Sequence, residues 1–108
     1  MKIYRELYVS EELKSKKDDV IEKLMKNKIQ WDIHLIVLPG DKNRQLEIIN
    51  SIFLAYDIFS KEDLLIVGIA KGKSQALELT REIVSYIYSE TGQVDICQFI
   101  LSRQERKC

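Results

Sequence analysis

The run Leu64-Leu65-Ile66-Val67-Gly68-Ile69-Ala70 constrains the fold most. It carries no polar side chain and is rich in branched aliphatics. An extended segment of this kind leaves neither face to water, so it must be a strand covered on both sides. Leu35 to Leu38, the second half of the stretch WDIHLIVL, has the same character. Two such strands predict the interior of a sheet with helices layered over it.

The remaining elements follow from periodicity and punctuation. Met1 to Val9 alternates, with Ile3, Leu7 and Val9 on one side and Lys2, Tyr4, Glu6 and Tyr8 on the other, which reads as a half-exposed strand. Ser10-Glu11-Glu12 is a helix start, and Leu13, Val20, Ile21, Leu24 and Met25 recur at helical spacing, predicting a first helix over about Glu11 to Asn27. Pro39-Gly40-Asp41 stops the second strand, with Asp41 as an N-cap. A second helix is expected from Lys42 to Tyr56, on the stripe Leu46, Ile49, Phe53 and Tyr56. Ser74 to Thr91 reads as a third helix, closed by Gly92. Val94 to Leu101 reads as a fourth strand, and 103–108 as a polar tail.

The expected order is therefore βαβαβαβ in a single α/β domain spanning residues 1–108. It should form a two-layer or three-layer sandwich around a four-stranded, mainly parallel sheet. The second and third strands should be central and the first and last should be edges. The length suits one domain able to bury a core without disulfide staples.

Between the third strand and third helix lies Gly72-Lys73-Ser74. It shares the GK-S ending of a phosphate-cradling loop, G-x-x-x-x-G-K-[ST]. The first glycine, Gly68, is one residue too close for that wrap. Gly68 also falls inside the strand, where close packing explains it. A nucleoside triphosphatase is therefore disfavoured. A milder reading follows from the parallel sheet, whose carboxyl edge would gather helix N-termini and cations. The residues of that anion site would be Ser10, Asp41, Lys42, Gly72, Lys73 and Ser74. Turn and cap chemistry explains the same residues without a ligand.

Other chemistry finds little support. His34 is the sole histidine; it sits early in its strand with Asp32 beside it by alternation, and no nucleophile is near in sequence. Cys97 and Cys108 match no zinc or redox spacing, and Cys97 reads as a small buried apolar group. No metal or cofactor is called for. Lys14 to Lys28 is lysine-rich but interleaved with Asp18, Asp19 and Glu22, the pattern of a solvated helix face. Formal net charge is zero, so no global field draws the chain to nucleic acid. The beginning, MKIYRELYVS, alternates instead of forming an apolar leader core, and no apolar run could span a bilayer. A cytoplasmic protein with no membrane contact is expected.

Tyr4, Tyr8, Tyr86 and Tyr88, beside an open strand edge, are expected to be partly exposed and to promote self-association. The leading reading is a non-catalytic protein-interaction module, a homo-oligomer or one with a protein partner. The alternative is a binder or enzyme for a small phosphorylated or anionic ligand at the carboxyl edge. The third is weak nucleic-acid binding through the first helix.

Overall fold

The computed structural model describes residues 2–26, 28–39, 46–55, 64–92 and 96–105. The elements are β1 (Lys2–Val9), a 3-10 helix (Glu11–Lys16), α1 (Lys17–Met25), β2 (Ile33–Pro39), β3 (Glu47–Asn50), α2 (Ile52–Ala55), β4 (Leu64–Lys71), α3 (Gly72–Thr91) and α4 (Ile96–Glu105). They form a small mixed α/β domain around one four-stranded sheet of order β1-β4-β2-β3. The two most apolar segments, β2 and β4, take the interior places. The second of them is the fourth strand in chain order, because β3 intervenes.

The sheet is mixed, which corrects the expectation of a mainly parallel one. β1 runs parallel to β4, whereas β2 is antiparallel to both β4 and β3. The pairing Pro39↔Leu64 at one end and Ile33↔Lys71 at the other fixes the direction of β2.

Two further expectations are corrected. The helix expected over Lys42–Tyr56 is, within its described residues 46–55, a strand followed by a short helical segment, because Ile48 and Ile49 alternate across the sheet opposite Ile36 and Leu35. Asn50 ends that strand by accepting the backbone N–H of Ile52 on its side-chain oxygen, at 3.0 Å. The strand expected over Val94–Leu101 is helical from Ile96, and α4 continues to Glu105 through part of the presumed polar tail.

Helical segments cover both faces. Leu35, Val37, Leu64, Ile66 and Ile69 point to the face covered by Leu13 of the 3-10 helix and Val20 and Leu24 of α1. Ile36, Leu38, Leu65, Val67 and Ala70 point to the other, beneath Ala76, Leu79, Ile83 and Ile87 of α3 and Ile100 of α4. Each fully buried aliphatic side chain contributes about 1.5–3 kcal/mol of burial free energy. The α3 residues recur at i, i+3, i+7 and i+11, one helical stripe. Gly92 ends this helix in the left-handed conformation, φ 70°, and donates its N–H to the Tyr88 carbonyl at 2.7 Å.

The β1–β4 pairing is irregular. β1 advances from Ile3 to Tyr8 while β4 advances only from Ile66 to Gly68. Where they rejoin, a Cβ on Gly68 would stand 3.2 Å from Ile36 Cδ1, 3.3 Å from the Tyr8 carbonyl and 3.4 Å from Leu79 Cδ2. Glycine there lets β1, β2 and α3 close on β4 together.

Candidate functional site

The end of the sheet where β1 and β4 finish holds four of the six residues expected to bind an anion. Ser10 is buried, and its bonds are structural. Its N–H donates to the Ile69 carbonyl at 3.1 Å, its carbonyl accepts from Leu13 N–H at 2.9 Å, and its Oγ accepts from the Lys71 amide at 3.4 Å. Gly72 opens α3 with φ 80° and donates its N–H to the Asp32 carbonyl at 2.7 Å. Lys73 and Ser74 are exposed inside the first turn of the helix. The N-cap is Lys71, with no side-chain cap bond, so Ser74 does not cap.

Asp41 and Lys42 lie outside the described residues. The strand they follow ends at Pro39 beside Leu64, at the end of β4 opposite Gly72. The convergent carboxyl edge required all strands to run one way, and β2 does not. The end that meets Gly72 is instead the start of β2, with Asp32. Gly72-Lys73-Ser74 is thus a helix start with its first amide already bonded, not an open loop of free N–H groups.

Beside this end lies a groove of about 600 Å³ between the 3-10 helix and α1 on one side and the start of β2 on the other. Trp31 stands on it with 68% of its surface exposed, joined by Ile29 at 42%. Met25, at the end of α1, is 59% exposed. Three exposed apolar side chains thus fall within seven residues of chain, two of them on the groove.

The backbone here is held from three directions. Gln30 Nε2 donates to the Val20 carbonyl of α1 at 3.3 Å. Ser51 Oγ, almost wholly buried, donates to the Gln30 carbonyl at 2.8 Å. Asn50 Nδ2 donates to the Trp31 carbonyl at 3.3 Å. The Ile33 N–H closes the turn on the Gln30 carbonyl at 3.2 Å. Trp31 is therefore a large amphipathic ring presented to solvent on an anchored turn.

The charges around the groove are mixed. Lys23 pairs with Asp19 at 3.1 Å and Lys71 with Glu12 at 3.9 Å. Lys16, Lys28 and Asp32 have no ion-pair partner among the described residues. A smaller cavity of about 280 Å³ lies between the 3-10 helix and α3 and is lined by Glu11, Gln75, Glu78 and Glu82. Lys14 already bridges to Glu11 within it, at 2.8 Å.

The remaining sequence candidates do not assemble a reaction centre. No Asp32–His34 hydrogen bond forms, and His34 Nδ1 is buried without a partner among the described residues. Among the described residues no three His, Cys, Asp or Glu side chains cluster to hold a metal. No described helix is long and apolar enough to cross a membrane. Cys97 lies on α4, not on a strand, and Cys108 lies outside the described residues.

Tyr4, expected to be partly exposed, is 1% exposed because it joins the core cluster with Ile83 and Ile87 of α3 and Ile100 of α4. Tyr86 and Tyr88 are exposed. Sequence reasoning missed Trp31, Ile29 and Met25 as surface residues. Met25 reads as core by spacing and Trp31 as strand. The available signal was that Met25 and Ile29 flank the polar stretch Lys26-Asn27-Lys28, where the helix must end, with Trp31 two residues beyond.

No family model, no curated protein and no solved structure matches the chain.

Proposed function

We propose that the chain is a protein-contact module without catalytic activity, and that it self-associates through the groove at Trp31. The observation that carries this reading is Trp31 itself, exposed on a turn held by Gln30, Asn50 and Ser51. Tryptophan dominates protein interfaces because one rigid ring buries much area at small entropic cost. A ring on a fixed backbone has less freedom left to lose.

The occupant that fits best is a second copy. Lys16 and Lys28, without ion-pair partners among the described residues, line the same groove as Asp32, likewise unpaired among them, so a two-fold contact can set the lysines of one copy against the aspartate of the other. Zero formal net charge removes the repulsion that keeps highly charged chains apart.

The test is mass by light scattering across a concentration series, with tryptophan fluorescence on the same samples. Trp31 is the sole tryptophan, so emission reports this groove alone. The expected result is a mass rising from 12.7 kDa towards twice that, with a blue shift of emission, and a mass that stays monomeric in Trp31→Glu, which has no tryptophan emission to follow. A constant monomer mass with unchanged emission overturns the reading.

A further inference from the structure

A second site is built from residues that the chain brings together from its two ends. Glu6 and Tyr8 of β1, Tyr86 of α3 and Arg103 of α4 line a depression of about 210 Å³. The irregular stretch of β1 between Ile3 and Tyr8 lies in it, and such irregularities re-aim side chains. The Arg103 guanidinium stacks over Phe99, 4.4 Å from the ring centroid, and Phe99 meets Tyr86 edge-on at 6.2 Å. Stacking fixes the guanidinium plane, so its N–H groups point along set directions.

The donors at this site outnumber the acceptors. Arg103 Nη1 alone reaches Glu6, at 3.1 Å and 3.4 Å to the two carboxylate oxygens. Nε and Nη2 donate to no described residue, although the side chain is only 27% exposed. The Tyr8 and Tyr86 hydroxyls likewise bond to no described residue. Burial raises the Tyr8 phenol, with Tyr86 and Glu6 adding to the effect, so Tyr8 stays a donor at neutral pH. Among the described residues Glu6, with its side chain 57% exposed, is the acceptor facing them, and it also accepts from the Tyr4 hydroxyl at 3.4 Å.

We propose that Arg103, Tyr8 and Tyr86 form a binding site for a small free oxyanion carrying a flat apolar group, the chemistry of an aromatic carboxylate or an aryl phosphate. The oxyanion takes the unpaired guanidinium edge as a two-pronged acceptor, and the phenols supply further bonds. The flat group lies against the Tyr8 and Tyr86 rings. The volume admits a ligand of about one ring and one charged group, below the size of ordinary drug-like sites. Glu6 is the competitor that the ligand displaces.

The experiment is titration of the full chain with benzoate, phenyl phosphate, acetate and inorganic phosphate, by calorimetry and by NMR shifts of the Tyr8 and Tyr86 rings. Benzoate or phenyl phosphate is expected to bind more tightly than acetate or inorganic phosphate, and to move both rings. Arg103→Gln should abolish binding. Tyr86→Phe keeps the exposed ring and its Phe99 contact, and should weaken binding about tenfold, the worth of one bond to a charged group. Glu6→Gln should tighten binding although it removes the ion pair that holds α4. A purely structural Arg103–Glu6 pair predicts no binding in either wild type or Glu6→Gln, and that result overturns the proposal. Binding that survives Arg103→Gln in a folded chain also overturns it. If benzoate prevails the ligand is a carboxylate, and if phenyl phosphate prevails it is a phosphate.

Discussion

Gly72 donates its backbone N–H to the backbone carbonyl of Asp32 at 2.7 Å, joining the end of β4 to the start of its antiparallel neighbour. The bond is possible because Gly72 turns the chain with φ 80° as the strand becomes α3. No atom lies within 4 Å of a Cβ built there, so sterics with neighbours are not at issue. Gly72→Ala should therefore cost only backbone strain, about 1–2 kcal/mol. Asp32→Ala should change stability by less than about 0.5 kcal/mol, since the carbonyl, not the carboxylate, accepts. Thermal unfolding of both variants checks this. Equal losses would mean that the side chain of Asp32 holds the junction.

Gly68 offers the opposite case. Its backbone is unstrained, but an added methyl would crowd Ile36, Leu79 and the Tyr8 carbonyl. The side chains can yield a few tenths of an ångström, whereas the carbonyl belongs to the paired β1 backbone. Gly68→Ala should destabilise by about 1–3 kcal/mol through overpacking. Adding Ile36→Val, which removes the Cδ1 atom in closest contact, should recover part of the loss despite its own cavity cost. A double variant less stable than the sum of the singles would count against crowding as the cause.

The phenols of β1 give the domain an alkaline limit. Burial raises Tyr4 well above the ordinary phenol value of 10.0, and Tyr8 and Glu6 add to it. Burial raises Tyr8 in the same direction. Both protons are held more tightly in the folded chain than in the unfolded one. Their contribution is complete below about pH 10 and disappears as pH climbs from there towards the folded values. Stability should therefore fall above pH 10, and Tyr4→Phe should flatten that fall. At neutral pH the same change removes only a 3.4 Å bond to Glu6, so it should cost about 1 kcal/mol or less. Chemical denaturation at neutral and alkaline pH separates the two effects.

The apolar strands were readable because a run such as Leu35 to Leu38 has nowhere to go but between two covered faces. Strand direction was not readable, because parallel order was inferred from alternation with helices. Once Glu47–Asn50 forms a strand, β2 and β3 pair antiparallel and the alternation ends. The short apolar group Ile48-Ile49 fits either period, and cross-strand pairing with Leu35 and Ile36 decided between them. For α4 a helical signal was present. Ile96, Phe99, Ile100 and Arg103 are spaced i, i+3, i+4 and i+7, yet the branched residues and Cys97 suggested a strand.

The sites were less legible than the fold. Ser10, Gly72, Lys73 and Ser74 do share one end of the sheet, but Ser10 and Gly72 spend their polar groups on the backbone there. Trp31 is visible in the sequence as a lone tryptophan, and only the fold shows that its ring is left outside. The Glu6–Arg103 pair spans 97 positions, so no local pattern could announce it.

β1 and β4 are parallel partners separated in the chain by α1, β2 and β3, with Ile3 beside Ile66 and Val9 beside Ile69. A chain leaving the ribosome must carry Lys2–Val9 without its sheet neighbour until β4 has emerged, and Tyr4 is not fully covered until α3 and α4 follow. Contacts this distant in sequence form slowly. During synthesis β1, the first strand of this sheet in chain order, is the one that waits longest for its partner, and a chaperone that shields unpaired amphipathic strands would find its target there.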